Sequence, residues 1–214
     1  VYKRQVLGNS KKVAQGDAVI ALGNIFGYAD GMSYGVVSAS NYKATFFDGE
    51  CAVIATDIPA EEQGTGMLFN MDGEVVGMIS SSVWNDTGKN VVNAYGISDL
   101  KPIIELLING KSVPYIGIYG TTVTEQLAEE HKMPSGIYVA DVDPDSPAMA
   151  AGIQIGDIIC EASGEEIKDI AAYQNIVIGS SVGETMEFVG KRLGSDGYVN
   201  IKFSVVTTEK EEVK

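Results

Sequence analysis

The sequence has one histidine, one tryptophan, two cysteines and six prolines in 214 residues, and it is short of positive charge, with 15 basic side chains against 29 acidic ones and a net charge of −14. Each shortage excludes something. One histidine cannot build a multi-histidine cage, and Cys51 and Cys160 lie too far apart in sequence for a CxxC-type site. No metal or other cofactor is expected. The acidic balance repels phosphate backbones and anionic membrane surfaces, which gain no counterion release from such a surface, so no nucleic-acid partner is expected. No run approaches the roughly 18 apolar residues of a membrane span, and no charged-then-apolar leader opens the chain. The expectation is a cytoplasmic protein or one whose leader is missing. Val1 to Gln5 fit no later pattern and read as non-native.

Glycine is abundant, at 25 residues, and 45% of the chain is apolar against 21% charged. Glycine reaches backbone angles that other residues avoid, and with many short Val/Ile runs it predicts strands joined by tight turns. Ala18 to Leu22 and Ser33 to Ala39 read as buried strands, with Ser40-Asn41 as a polar stop. Lys43 to Phe47 and Cys51 to Ala55 flank Asp48-Gly49, and Met67 to Asn70 and Glu74 to Ser80 flank Asp72-Gly73. Both Asp-Gly pairs predict type I′ hairpin turns, in which the two central residues take positive φ.

Leu100, Ile103, Ile104, Leu107 and Ile108 recur at helical spacing, which predicts an amphipathic helix over 98–109 with Ser98 as N-cap, Pro102 in its first turns and Gly110 as its stop. Residues 111–114 read as a linker between a first domain, 1–110, and a second, 115–207, with a charged tail at 208–214. The second half reads as an extended stretch at 115–119, a strand at 136–142, a short helix, a strand at 158–162, a second helix and two closing strands, 185–192 and 198–206. The short helix is fully punctuated: Ser146 caps it, Pro147 takes the first position and Gly152 ends it. Ile170, Tyr173, Ile176 and Val177 give the second helix an apolar stripe, with Asp169 near its start.

Tyr115-Ile116-Gly117-Ile118, Asp143-Pro144-Asp145-Ser146-Pro147-Ala148, Ala151-Gly152-Ile153, Gly156-Asp157-Ile158-Ile159 and Gly164 together resemble the PDZ domain of HtrA (Deg) serine proteases. Gly16 to Gly27, Gly35 to Ala39, Thr56-Asp57, Asp72 to Gly77 and Tyr95 to Leu100 resemble, in the same order, the C-terminal barrel of that family's trypsin-like domain. The resemblance implies a mainly β chain, with a trypsin-like C-terminal β-barrel followed by an α+β PDZ domain. It implies a peptide-binding groove in which Tyr115, Ile116, Gly117, Ile118 and Tyr119 form the carboxylate loop and Ile170, Tyr173 and Val177 the helical wall. PDZ domains add an extended peptide to a sheet edge and hold its carboxylate with main-chain N–H groups. The apolar members of both sets read equally as core.

The chain departs from the family where the chemistry lies. A Gly-Asn-Ser-Gly-Gly-Pro-Leu loop is replaced by Pro59-Ala60-Glu61-Glu62-Gln63-Gly64-Thr65-Gly66-Met67-Leu68, so no serine stands at the nucleophile position, which falls on Gly64 or Thr65. Gln63, Gly64, Thr65 and Gly66 thus read as a degenerate nucleophile loop with no catalytic residue. A serine hydrolase also needs a histidine base and an orienting carboxylate. In the family both come from an N-terminal barrel with no counterpart here, and His131 sits in the PDZ-like half among Glu129, Glu130 and Lys132, as a solvated residue. The cysteines read as buried and inert.

The resulting expectation is a proteolytically inactive HtrA-like protein or fragment, a pseudoprotease that binds extended peptides or unfolded C-termini in a quality-control or regulatory setting. The alternative is an active HtrA-type serine endopeptidase when the missing barrel is present. The resemblance further implies a bacterial, extracytoplasmic setting in the cell envelope, an HtrA-type homo- or hetero-oligomer, membrane contact only through an absent N-terminal anchor, and an apolar patch on the first domain. Residues 1–110 carry seven basic and twelve acidic side chains, or −5, and residues 111–214 carry −9, which favours apolar or basic peptides.

Overall fold

A computed structural model describes residues 5–61, 63–83 and 90–209. The chain divides into two compact units, Val1–Ala44 with Cys51–Pro102, and Thr45–Glu50 with Ile103–Lys214.

Six antiparallel strands build the first unit: β1 (Ala18–Asn24), β2 (Gly31–Phe46), β3 (Gly49–Pro59), β4 (Thr65–Asn70), β5 (Val75–Ile79) and β6 (Val91–Gly96). They close into a barrel in the order β1-β2-β3-β6-β5-β4. Alternation sets the inward face: Val19 and Ala21 point into a core shared with Val37, Ile54, Leu68, Val76 and Ala94. The outward face of the same strands is apolar as well. Leu22, Met32, Tyr34, Val36 and Met67 are exposed, and pairing sets Leu22 opposite both Met32 and Met67.

The second unit begins partway along α1 (Ile97–Ile108) and continues through β7 (Pro114–Tyr115), β8 (Ile118–Val123), α2 (Glu125–His131), β9 (Gly136–Val142) and α3 (Pro147–Ala150). It ends with β10 (Ile158–Ala162), β11 (Glu165–Glu166), α4 (Ile170–Gly179), β12 (Thr185–Gly194), β13 (Gly197–Val206) and β14 (Thr208–Glu209). The sheet runs β13-β12-β10-β9-β8, β11 pairs with β10, and β14 pairs with β7. Its core gathers Ile116, Ile118, Ile137, Val139, Ile159, Tyr173, Phe188 and Val205, each fully buried aliphatic or aromatic side chain contributing about 1.5–3 kcal/mol. The architecture is mainly β, as expected from the sequence.

Four local expectations change. Residues 33–39 and 43–47 belong largely to one strand, β2, which runs through the polar Ser40-Asn41 where a stop was expected. Both Asp-Gly hairpins form, but neither is a two-residue positive-φ turn: φ is positive at Asp48 (62°) in one and at Gly73 (80°) in the other. Aspartate is among the non-glycine residues that tolerate this region. The Asn70 side chain accepts from the amides of Asp72 and Glu74 and fixes the second turn. α1 starts at Ile97, so Ser98 lies inside it, and its hydroxyl accepts from the Ser10 amide instead of capping. α2 was not foreseen; Thr124 caps it by accepting from the Leu127 amide at 3.3 Å, and Leu127 is its only large apolar residue, too few for a periodic signal.

Asp157, fully buried, explains the Gly-Asp element of the sequence. Its carboxylate accepts from Arg192 Nε at 2.6 Å, from Arg192 Nη2 at 2.8 Å and from the Gln154 amide at 2.9 Å. Breaking a buried pair costs about 3–5 kcal/mol, and partial exposure of Arg192 reduces this. Arg192→Met is expected to lower stability by about 2 kcal/mol, read as a lower urea midpoint. An unchanged midpoint would show that water replaces the guanidinium without loss.

Candidate functional site

Three consecutive backbone amides of the second unit converge on one carboxylate. The N–H groups of Ile116 and Gly117 donate to Asp48 Oδ2 at 2.7 and 2.8 Å, and that of Ile118 donates to Oδ1 at 3.0 Å. The Tyr173 hydroxyl donates to Oδ1 at 2.6 Å, and the Asp48 amide donates to the Ile118 carbonyl at 2.7 Å. Asp48 is 8% exposed. The arrangement is a backbone nest for an anion, closed by a phenol.

The Asp-Pro-Asp-Ser-Pro-Ala segment holds this loop open. The carbonyls of Ile116 and Gly117 accept from the amides of Ala148 and Asp143, both at 2.9 Å, which turns the N–H groups toward the opposite side. Tyr115 donates its hydroxyl to Asp143. Gly117 has φ of 95°, and a Cβ there would lie 2.4 Å from Ser146 Cβ, so both the angle and the space require glycine. Ser146 is itself fixed as the α3 N-cap.

The residues expected to form the peptide site are brought together. Ile116, Ile118, Ile170, Tyr173 and Val177 are almost wholly buried and serve the core, Tyr115 is buried and Tyr119 is half-buried. Ile116 and Ile118 contribute amides here, with side chains fully buried instead of lining an open pocket, because one apolar set fills the space between β8 and α4. Sequence reasoning missed Asp48 and its neighbours. Phe47 meets Tyr119 edge-on at 5.8 Å, and the Glu50 amide donates to Gln174 Oε1 at 3.2 Å. A buried glutamine beside Tyr173 on an otherwise apolar helix face is the one available signal, and it names no partner.

Burial raises the Asp48 carboxyl above its ordinary range, and the hydrogen bonds from Tyr173, Gly117, Ile116 and Ile118 oppose that rise. Both phenols are raised: burial acts first on each, followed for Tyr115 by its bond to Asp143 and for Tyr173 by the charge of Asp48. They remain neutral donors at physiological pH.

The degenerate nucleophile loop lies in the first unit. Thr65 opens β4 opposite Asn24 and is exposed, as is Gln63, while Gly64 is buried. The Gly64 amide closes a turn on the Glu61 carbonyl at 2.9 Å, and the Glu61 amide is taken by the Ile25 carbonyl at 2.8 Å. Neither N–H is free to stabilise an oxyanion. Gly66 has φ of 159° and packs against Leu22 and Gly23. Glu62 lies outside the described residues. His131 is exposed at the end of α2, in the second unit. Among the described residues no group of three or more His, Cys, Asp or Glu is placed to hold a metal ion, and no helix is long and apolar enough to cross a membrane. Cys51 is buried and Cys160 half-buried, neither is in a disulfide, and burial raises the Cys160 thiol.

Residues 138–192 match a family model described as PDZ domain. Over most of its length the chain is similar to serine endoproteases of the HtrA type. It is 30% identical over 202 residues to a probable periplasmic serine endoprotease DegP-like from Halomonas elongata, covering 91% of this chain and 42% of that one. It is 30% identical over 214 residues to the protein of the same description from Ectopseudomonas mendocina, covering 97% of this chain and 45% of the relative. The chain thus spans under half the length of these relatives. The solved structure of the HtrA-type protease AlgW with decapeptide shares the fold, at a TM-score of 0.63 and 23% identity, covering 97% of this chain and 64% of that one.

The raised tyrosines give a pH dependence. An unfolded phenol ionises near about pH 10, whereas these two resist ionisation when folded, so their contribution is fully present below about pH 10 and is lost as pH rises through the folded value. Urea midpoints measured from roughly pH 8 to 11 are expected to fall more gently for Tyr173→Phe than for the unaltered chain. Parallel curves would show that Tyr173 titrates freely in the fold.

Proposed function

We propose that this chain is the peptide-binding part of an HtrA-type protein and captures extended peptides by their C-terminal carboxylate, without proteolytic activity of its own. The convergence of the Ile116, Gly117 and Ile118 amides on one carboxylate carries the reading, because the same three donors suit the end of a peptide chain. The structure of a similar HtrA-type protease with a decapeptide supports the ligand class. Tyr115, Tyr119, Ile170, Tyr173 and Val177 would shape the walls, and Gly117 the approach.

Inactivity is supported by the loop at 59–66. It lacks a serine, its Gly64 and Glu61 amides are already bonded, and the first unit contains no histidine to serve as base. The periplasmic description of the relatives supports an extracytoplasmic place of action, and assembly into an HtrA-type oligomer belongs to the same proposal.

Calorimetry with peptides ending in apolar residues tests the binding. Free-acid forms are expected to bind at least about tenfold more tightly than their amides, because amidation removes a charge-assisted acceptor. Equal affinity would contradict carboxylate capture. Incubation with unfolded casein and a serine-directed fluorophosphonate is expected to give neither cleavage nor labelling, and labelling abolished by Thr65→Ala would overturn the inactive reading.

A further inference from the structure

The carboxylate in the nest belongs to the chain itself, and it sits at the tip of the β2–β3 hairpin, in the 45–50 segment that packs as part of the second unit. Asp48 makes two sets of bonds at once. Its side chain takes the three amides, and its own amide donates to the Ile118 carbonyl, which is what the last residue of a strand added beside β8 would do. The tip is shaped for this position. Asp48 adopts φ of 62°, an angle uncommon outside glycine, and Gly49 packs so closely that a Cβ would lie 2.5 Å from the Gln174 side chain. The Glu50 amide bonded to Gln174 and the Phe47 ring against Tyr119 hold the turn on either side.

We propose that Asp48 is a built-in ligand that occupies the carboxylate subsite and holds the peptide groove in a self-inhibited state. The proposal rests on the peptide-binding reading and adds to it a competitor. Each amide of the loop is already paired with an Asp48 oxygen, so a peptide carboxylate enters only after the hairpin tip has left. A tethered ligand acts at high effective concentration, and the apparent affinity for an external peptide falls by the fraction of molecules whose tip is undocked. Ligands able to compete must offer a free terminal carboxylate and an N–H for the Ile118 carbonyl. An internal peptide segment or an amidated end lacks the carboxylate and cannot replace Asp48.

Removing the internal carboxylate in the full chain tests this. Asp48→Ala, and Asp48→Asn as a variant of nearly unchanged volume, are compared with the unaltered chain, folding being checked by near-ultraviolet circular dichroism. The probes are a pool of fluorescein-labelled decapeptides with apolar last residues and free carboxylates, and the same pool amidated, read by fluorescence anisotropy. The expected result is at least a tenfold gain in affinity for the free-acid pool in whichever variants fold, with the amidated pool unchanged. Equal or weaker binding of the free-acid pool by the folded variants would overturn the built-in ligand while leaving peptide capture standing. A gain for both pools alike would overturn it too, since competition for the carboxylate subsite would then not be the cause. Absence of binding by every chain to either pool would overturn the peptide-binding reading, and the proposal with it.

Discussion

A carboxylate taken out of water without a cation beside it costs several kcal/mol unless donors replace its hydration shell. In this protein the replacement comes from three successive amides and one phenol gathered on Asp48, and much of the second unit is arranged around that requirement. The carbonyls of Ile116 and Gly117 are held by the 143–148 segment so that the N–H groups face the other way. Gly117 is pressed against Ser146, Ser146 caps α3, and Tyr173 reaches from α4 through the core. Moving any of these withdraws a donor from the same anion.

The frame of the fold was legible in the sequence because local chemistry agrees with the final structure. The apolar run of 18–22, the strand at 136–142, the punctuation of 146–152 and the stripe of 170–177 each need only a short window. Failures came where a long-range partner decides. Ser40-Asn41 looks like a stop but lies within β2, a 16-residue strand paired along both edges of the barrel order, and Ser98 looks like a cap but bonds the distant Ser10. Asp48 is the extreme case. Read locally, Asp48-Gly49 means a hairpin, and a hairpin forms; the side chain's partners, about seventy and more than a hundred positions away, leave no trace in that window.

The two halves of the site reading differ in kind. The 116–118 loop is complete, with its three amides paired to Asp48 and its carbonyls braced by the 143–148 segment. The nucleophile loop is a closed turn: its Gly64 and Glu61 amides are bonded and Thr65 is exposed, with no histidine in its own unit. Oxyanion stabilisation depends on unpaired N–H groups aimed at one point. In the 116–118 loop three amides do aim at one point, and there they are already paired with the Asp48 carboxylate.

Amide hydrogen exchange at Ile116, Gly117 and Ile118 in the full chain tests the central claim most directly. The account predicts slow exchange at all three in the unaltered protein, and coordinated acceleration in Asp48→Asn with the β9 and β10 amides unaffected. Unchanged exchange at the three amides after that substitution would contradict it, since the loop would then be held shut by something other than the Asp48 carboxylate.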